Sequence, residues 1–136
     1  MSQKSKKSSK KEAIILKSSD TVKKKALKIA GFSAIKKAKD IVILDVGQIS
    51  GLCDYFVICS GESGRQVKAI YEETARQCKK NKIKIHHYEN DQEHSWIFVD
   101  FFDVILHIFS EDARKFYDLE HLWREAKKIK EKIPTP

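Results

Sequence analysis

At 136 residues, 41% of them hydrophobic and 10% aromatic, the chain has the size and composition of about one globular domain, and no apolar run reaches the roughly eighteen residues of a membrane span. Its net charge of +8 is unevenly spread: residues 1–40 hold thirteen Lys against three acids (Glu12, Asp20, Asp40), so residues 41–136 carry −2, and residues 41–123 alone carry −5. Basic ends of this kind act as counter-charges for nucleic acid or anionic surfaces, whereas an acidic body repels phosphate and attracts a basic protein, which excludes a uniformly basic nucleic-acid binder.

The first residues, MSQKSKKSSKKE, are rich in Lys and Ser and followed by no apolar segment of secretory-signal length. Residues 1–19 read as a disordered tail. From Asp20, the spacing of Val22, Ala26, Leu27, Ile29 and Ala30 predicts a helix interrupted near Gly31 and resuming to about Lys39. IVILDV (41–46) and DYFVICSG (54–61) are β-branched or continuously apolar runs, as in strands covered on both faces. Ser63 and Gln66 have capping-box spacing, and Val67, Ile70, Tyr71, Thr74 and Cys78 then repeat at helical intervals, predicting a helix over 63–80. IKIHHY (83–88) alternates as a short strand, with ENDQEHS as a loop. WIFVD and DVILHIF follow, and a turn at Phe101-Phe102 would join them, pairing Asp100 with Asp103 and Trp96 with His107. That register sorts Ile97, Val99, Val104, Leu106 and Ile108 onto one aliphatic face, and Trp96, Phe98, Asp100, Ile105, His107 and Phe109 onto a mixed one. Phe-Phe suits a tight hairpin poorly, because such turns need positive φ. Ser110 is a fair helix cap, and Phe116, Leu119, Leu122, Trp123, Ala126 and Ile129 form the expected buried stripe of one last helix.

The chemistry-bearing residues do not assemble into a catalyst. SGESGR, at a strand-to-helix turn, lacks the lysine and spacing of a phosphate-binding loop. His86 and His87 are adjacent on a strand and point to opposite faces, which disfavours a shared metal ion. Asp100 and Asp103 are a candidate Mg²⁺ pair, keeping a nucleotide- or metal-dependent transferase as an alternative. The three cysteines (Cys53, Cys59, Cys78) are odd in number and show no C-x-x-C spacing, so they read as reduced core residues. The lysine-rich start lacks interleaved aromatics for base stacking; general RNA binding through that tail is a second alternative. Trp96 and Tyr117, beside acids, have the character of interface anchors.

DIVILDV, DYFVICSGESGRQV, WIFVDFFDVILHIF and RKFYDLEHLW, in this order and spacing, resemble the ribosomal silencing factor family, also called Iojap-like proteins, over residues 20–126. The resemblance implies an α/β fold with a mixed β-sheet of about five strands flanked by helices, related to nucleotidyltransferases. It implies a noncatalytic factor, without cofactor or metal, that docks on the large ribosomal subunit through its fourteenth ribosomal protein, blocks joining of the small subunit and represses translation when nutrients are short. Carried over by motif, Trp96, Asp100, Tyr117 and Glu120 are the expected contacts, with Arg65, Asp103 and His107 in support. The expected setting is the cytoplasm or an organellar matrix, without membrane attachment. Contact of the lysine-rich tail with ribosomal RNA and homodimerisation of free copies are further expectations. The chain departs from the family's D-x-G-D at the hairpin, having Asp100-Phe-Phe-Asp103, and the lysine-rich front and a basic tail over residues 127–136 lie outside the shared domain.

Overall fold

The computed structural model describes residues 21–134; the tail expected over residues 1–19 lies outside the described residues. Along the chain run α1 (residues 21–34), β1 (Lys39–Asp45), α2 (Gly47–Ser50), β2 (Tyr55–Gly61), α3 (Gly64–Lys80), β3 (His87–Asn90), β4 (Trp96–Asp100), β5 (Val104–Ser110), α4 (Glu111–Tyr117), α5 (Leu119–Leu122) and β6 (Lys127–Lys128). The strands form one mixed sheet in the order β3-β4-β5-β2-β1-β6. β2 and β5 are parallel and every other pair is antiparallel. The α/β class and mixed sheet are as expected, with a sixth strand added at one edge.

Continuous apolarity placed β2 at the centre. All seven of its residues are buried, because α1 and α3 lie on one face of the sheet and α4 and α5 on part of the other. Tyr55, Val57 and Cys59 join Ile29, Ile70, Leu106 and Ile108 in the larger core cluster, whereas Phe56 and Ile58 face the smaller one, with Phe109, Ala113 and the partly buried Trp123. All three cysteines are buried and free, and desolvation pushes the thiols of Cys59 and Cys78 up to about 12, so they pack as small apolar groups.

Several local expectations are corrected. α1 is not interrupted at Gly31. A Cβ there would sit 2.3 Å from the Pro134 carbonyl oxygen, so the glycine admits the C-terminal segment against the helix. The helix ends by residue 34, and Lys37 adopts φ 63 before β1 begins. The strand expected over 83–88 instead occupies His87–Asn90, within the expected loop. The β4–β5 register is shifted by two residues: Trp96 lies opposite Phe109 and Asp100 opposite Ile105, not His107 and Asp103. A shift of two preserves the side-chain faces. Ile97, Val99, Val104, Leu106 and Ile108 are accordingly all buried in the larger core.

The longer connection resolves the Phe-Phe problem only partly. Phe101 is buried, and Phe102 takes φ 74 at the centre of a three-residue turn closed by Asp103 N–H donating to the Phe101 carbonyl at 3.1 Å, a strained geometry for an L-residue. The single last helix is also absent. Ser110 does cap α4, its hydroxyl accepting from the Ala113 N–H at 3.2 Å, but Asp118 adopts the left-handed region at φ 47 and turns the chain into α5. Phe116 and Leu122, expected in the buried stripe, are 82% and 69% exposed. Beyond residue 126, β6 pairs with β1, and Ile129 and Ile133 pack on the larger core.

Candidate functional site

The α4–α5 elbow covers the β1–β2 side of its face and leaves the β4–β5 side open. The result is a groove of about 830 Å³ whose lining includes Phe56, Trp96, Phe98, His107, Tyr117 and Trp123. Each ring arrives for a local reason. Trp96 and Phe98 alternate onto the mixed face of β4, His107 lies opposite Phe98 on β5, and Tyr117 ends α4 just before the left-handed Asp118. The rings form a connected set: Trp96 and Tyr117 have centroids 4.5 Å apart, Trp96 and Phe109 5.0 Å, and Phe56 packs edge-on against both His107 and Trp123.

His107 is the polar group in the floor. Its Nδ1 accepts from the Trp96 indole N–H at 3.2 Å, which assigns the proton to Nε2. Nε2 is buried and has no partner. Burial pushes the imidazole down to about 3, so the floor is neutral at physiological pH. The rim is acidic: Glu89, Asn90, Asp91 and Ser95 border the groove from the β3–β4 side. Asp91 is fixed there by accepting from the Ser95 hydroxyl, from the Ser95 N–H at 2.7 Å and from the Trp96 N–H at 3.3 Å. Burial alone would raise its carboxyl, but these donors outweigh it and hold Asp91 below its ordinary value.

Of the residues singled out in the sequence, Trp96, His107 and Tyr117 meet at this groove. Asp100 is on the same face of β4, its carboxylate accepting the Phe102 N–H at 2.7 Å. The others lie elsewhere. Asp103 is paired with Lys25 at 2.7 Å, so Asp100 and Asp103 are not the cross-strand pair expected. Glu120 lies on another side of the elbow, accepting from Arg114 Nε at 2.9 Å, while Arg114 also donates to Ser60 Oγ at 2.9 Å. Arg65 is exposed in the first turn of α3. The turn before it has no room to cradle phosphate: Ser63 Oγ and Gln66 Oε1 accept the Gln66 and Glu62 N–H groups, and the Glu93 carbonyl lies 2.6 Å from where a Gly64 Cβ would be. Among the described residues, no group of three or more His, Cys, Asp and Glu side chains is placed to hold a metal ion. No helix among them is long and apolar enough to cross a membrane.

Sequence reasoning did not name Phe56, Phe98 or Asp91 as site residues, and it assigned Trp123 to the core. Strand alternation from Trp96 already pointed to Phe98; nothing local in the sequence marked Phe56 or Asp91.

The geometry has counterparts among known proteins. The family model described as "Ribosomal silencing factor during starvation" matches residues 19–136. The "Ribosomal silencing factor RsfS" of Bacillus subtilis is 43% identical over 104 residues, covering 76% of this chain and 88% of that relative. A mouse protein named "Mitochondrial assembly of ribosomal large subunit protein 1" is 32% identical over 91 residues, 65% of this chain and 40% of its own length. A crystal structure of a Bacillus halodurans protein superposes with a TM-score of 0.69 at 33% identity, covering 79% of this chain and 99% of that one.

Proposed function

The chain belongs to the ribosomal silencing factor family, and from that premise we propose that it docks on the large ribosomal subunit through the fourteenth ribosomal protein and, by occupying that face, blocks joining of the small subunit and represses translation under nutrient limitation. The observation that carries this reading is the open aromatic groove with its acidic rim, on a body that is negative over residues 41–123. Trp96 and Tyr117 supply rigid apolar area at its mouth, the residue types that anchor interfaces. Glu89 and Asp91 offer charge to a basic ribosomal protein, which mainly speeds encounter, while burial of the rings sets how long the complex lasts. Asp100 extends the contact along β4, with Glu120, Arg65 and Asp103 as peripheral contacts. A footprint of about 800 Å² per partner is typical of such a complex and is within the reach of the groove and the elbow together. The name of the mouse relative, which refers to ribosomal large subunit assembly, supports the choice of subunit. The protein acts by occlusion, not by catalysis.

Binding to purified large subunits tests the proposal. Trp96→Ala and Tyr117→Ala should each weaken cofractionation in a sucrose gradient at least tenfold while the far-UV dichroism is retained. Unchanged cofractionation by both variants removes the groove from the interface. Failure of the parent chain to cofractionate removes the proposal.

A further inference from the structure

A second surface lies at the β4–β5 tip, away from the aromatic rings. Leu52, in the loop between α2 and β2, is 89% exposed, and Phe102 is 61% exposed. The two residues line one cleft of about 390 Å³ together with Gly51, Asp54 and Asp103. Phe102 occupies this place at φ 74, where glycine is the unstrained choice, and its ring rests on His86 with centroids 3.9 Å apart. A solvent-facing aromatic held in a strained conformation is a signature of function.

The surroundings are acidic. Asp45, Asp54 and Asp103 share one neighbourhood: the Asp54 carboxyl is raised first by burial and then by the charges of Asp103 and Asp45. Lys25 answers Asp103 and also donates to the Phe101 carbonyl at 3.0 Å. That lysine lies one helical turn into the described part of α1, so the chain enters the described structure beside this tip.

Twenty residues precede Thr21, and among them Lys10-Lys-Glu-Ala-Ile-Ile-Leu-Lys17 places four apolar residues between lysines. We propose that Ala13–Leu16 of the same chain seat on Leu52 and Phe102, with the flanking lysines on the carboxylates of Asp54 and Asp45. The five residues from Leu16 to Thr21 span up to roughly 17 Å, and the helical rise places Thr21 about 6 Å along the axis from Lys25, so the segment reaches the cleft. Apolar groups meet apolar groups, and lysines meet carboxylates.

The test uses the full chain with Ile15 replaced by the photo-cross-linking residue p-benzoylphenylalanine, mixed with an equal amount of isotope-labelled chain lacking it. After irradiation, mass spectrometry should find cross-links within one chain to residues 49–54 or 101–103. The double substitution Leu52→Ser with Phe102→Gly should reduce their yield at least tenfold. Both changes are at exposed positions, and φ 74 suits glycine, so the fold, checked by dichroism, is retained. Cross-links to other segments, cross-links only between chains, a yield unaffected by the double substitution, or no cross-link at all would each overturn the proposal.

Discussion

Acidification from pH 6.5 to 5 isolates the buried imidazole of His107 energetically. In the folded chain, desolvation pushes this group down to about 3 from its ordinary 6.5, so between those values the unfolded chain binds a proton that the folded chain refuses. Stability therefore falls as pH drops below about 6.5, with a limiting slope of about 1.4 kcal/mol per pH unit. Over 1.5 units the loss approaches ~1.5 kcal/mol, allowing for partial protonation near the upper end. The carboxylates held low by hydrogen bonds, such as Asp91, add to the loss only nearer the carboxylate range. The assay is urea unfolding at half-unit pH steps, for the parent chain and for His107→Phe, whose ring fits among Phe56, Phe98 and Phe109. The parent midpoint should fall with pH and the variant midpoint should stay nearly level over the same window. Equal slopes in the two proteins would show that His107 does not control this part of the stability curve, and the description of the groove floor as dry and neutral would be wrong.

Trp96→Phe keeps an aromatic ring but deprives His107 Nδ1 of its 3.2 Å donor, and leaving a buried acceptor unpaired should cost about 1–3 kcal/mol, read as a lower urea midpoint. Gly31→Ala drives a methyl group to 2.3 Å from the Pro134 carbonyl oxygen and should destabilise by about 1–3 kcal/mol; an unchanged melting temperature would refute the close contact. Arg114 links Glu120 to Ser60 with its side chain 12% exposed. A double-mutant cycle of Arg114→Ala and Glu120→Ala should return a coupling of about 0.5–3 kcal/mol, and additive losses would mean that the ion pair does not hold the elbow.

The sequence conveyed much of the fold where one physical signal dominated. Continuous apolarity identified β2 as the central strand, and capping chemistry placed the start of α3 at Ser63 within one residue. Alternation sorted β4 and β5 correctly even though the assumed register was wrong, because a two-residue slip leaves parity intact. Illegible features were those set by tertiary contact. The break at Asp118 has no glycine or proline to announce it, and a helix-period stripe running through Phe116 and Leu122 concealed the fact that nothing packs on those side chains. Gly31 looked like a helix breaker and is instead a crossing point for the C-terminal segment. At the site, the motif residues Trp96, His107 and Tyr117 converge, while Glu120 and Asp103 are engaged by Arg114 and Lys25. Phe56 and Trp123 complete the groove from elements whose relative placement no local pattern encodes.

Subunit joining tests the central claim most directly. Purified small and large ribosomal subunits are mixed in a stopped-flow light-scattering cell, with the large subunit first incubated with the parent chain, with Trp96→Ala or with no addition. The parent should suppress the rise in scattering in proportion to its occupancy of the large subunit, and Trp96→Ala should restore it towards the rate seen without addition. Joining at the unimpeded rate on large subunits saturated with the parent chain would contradict occlusion.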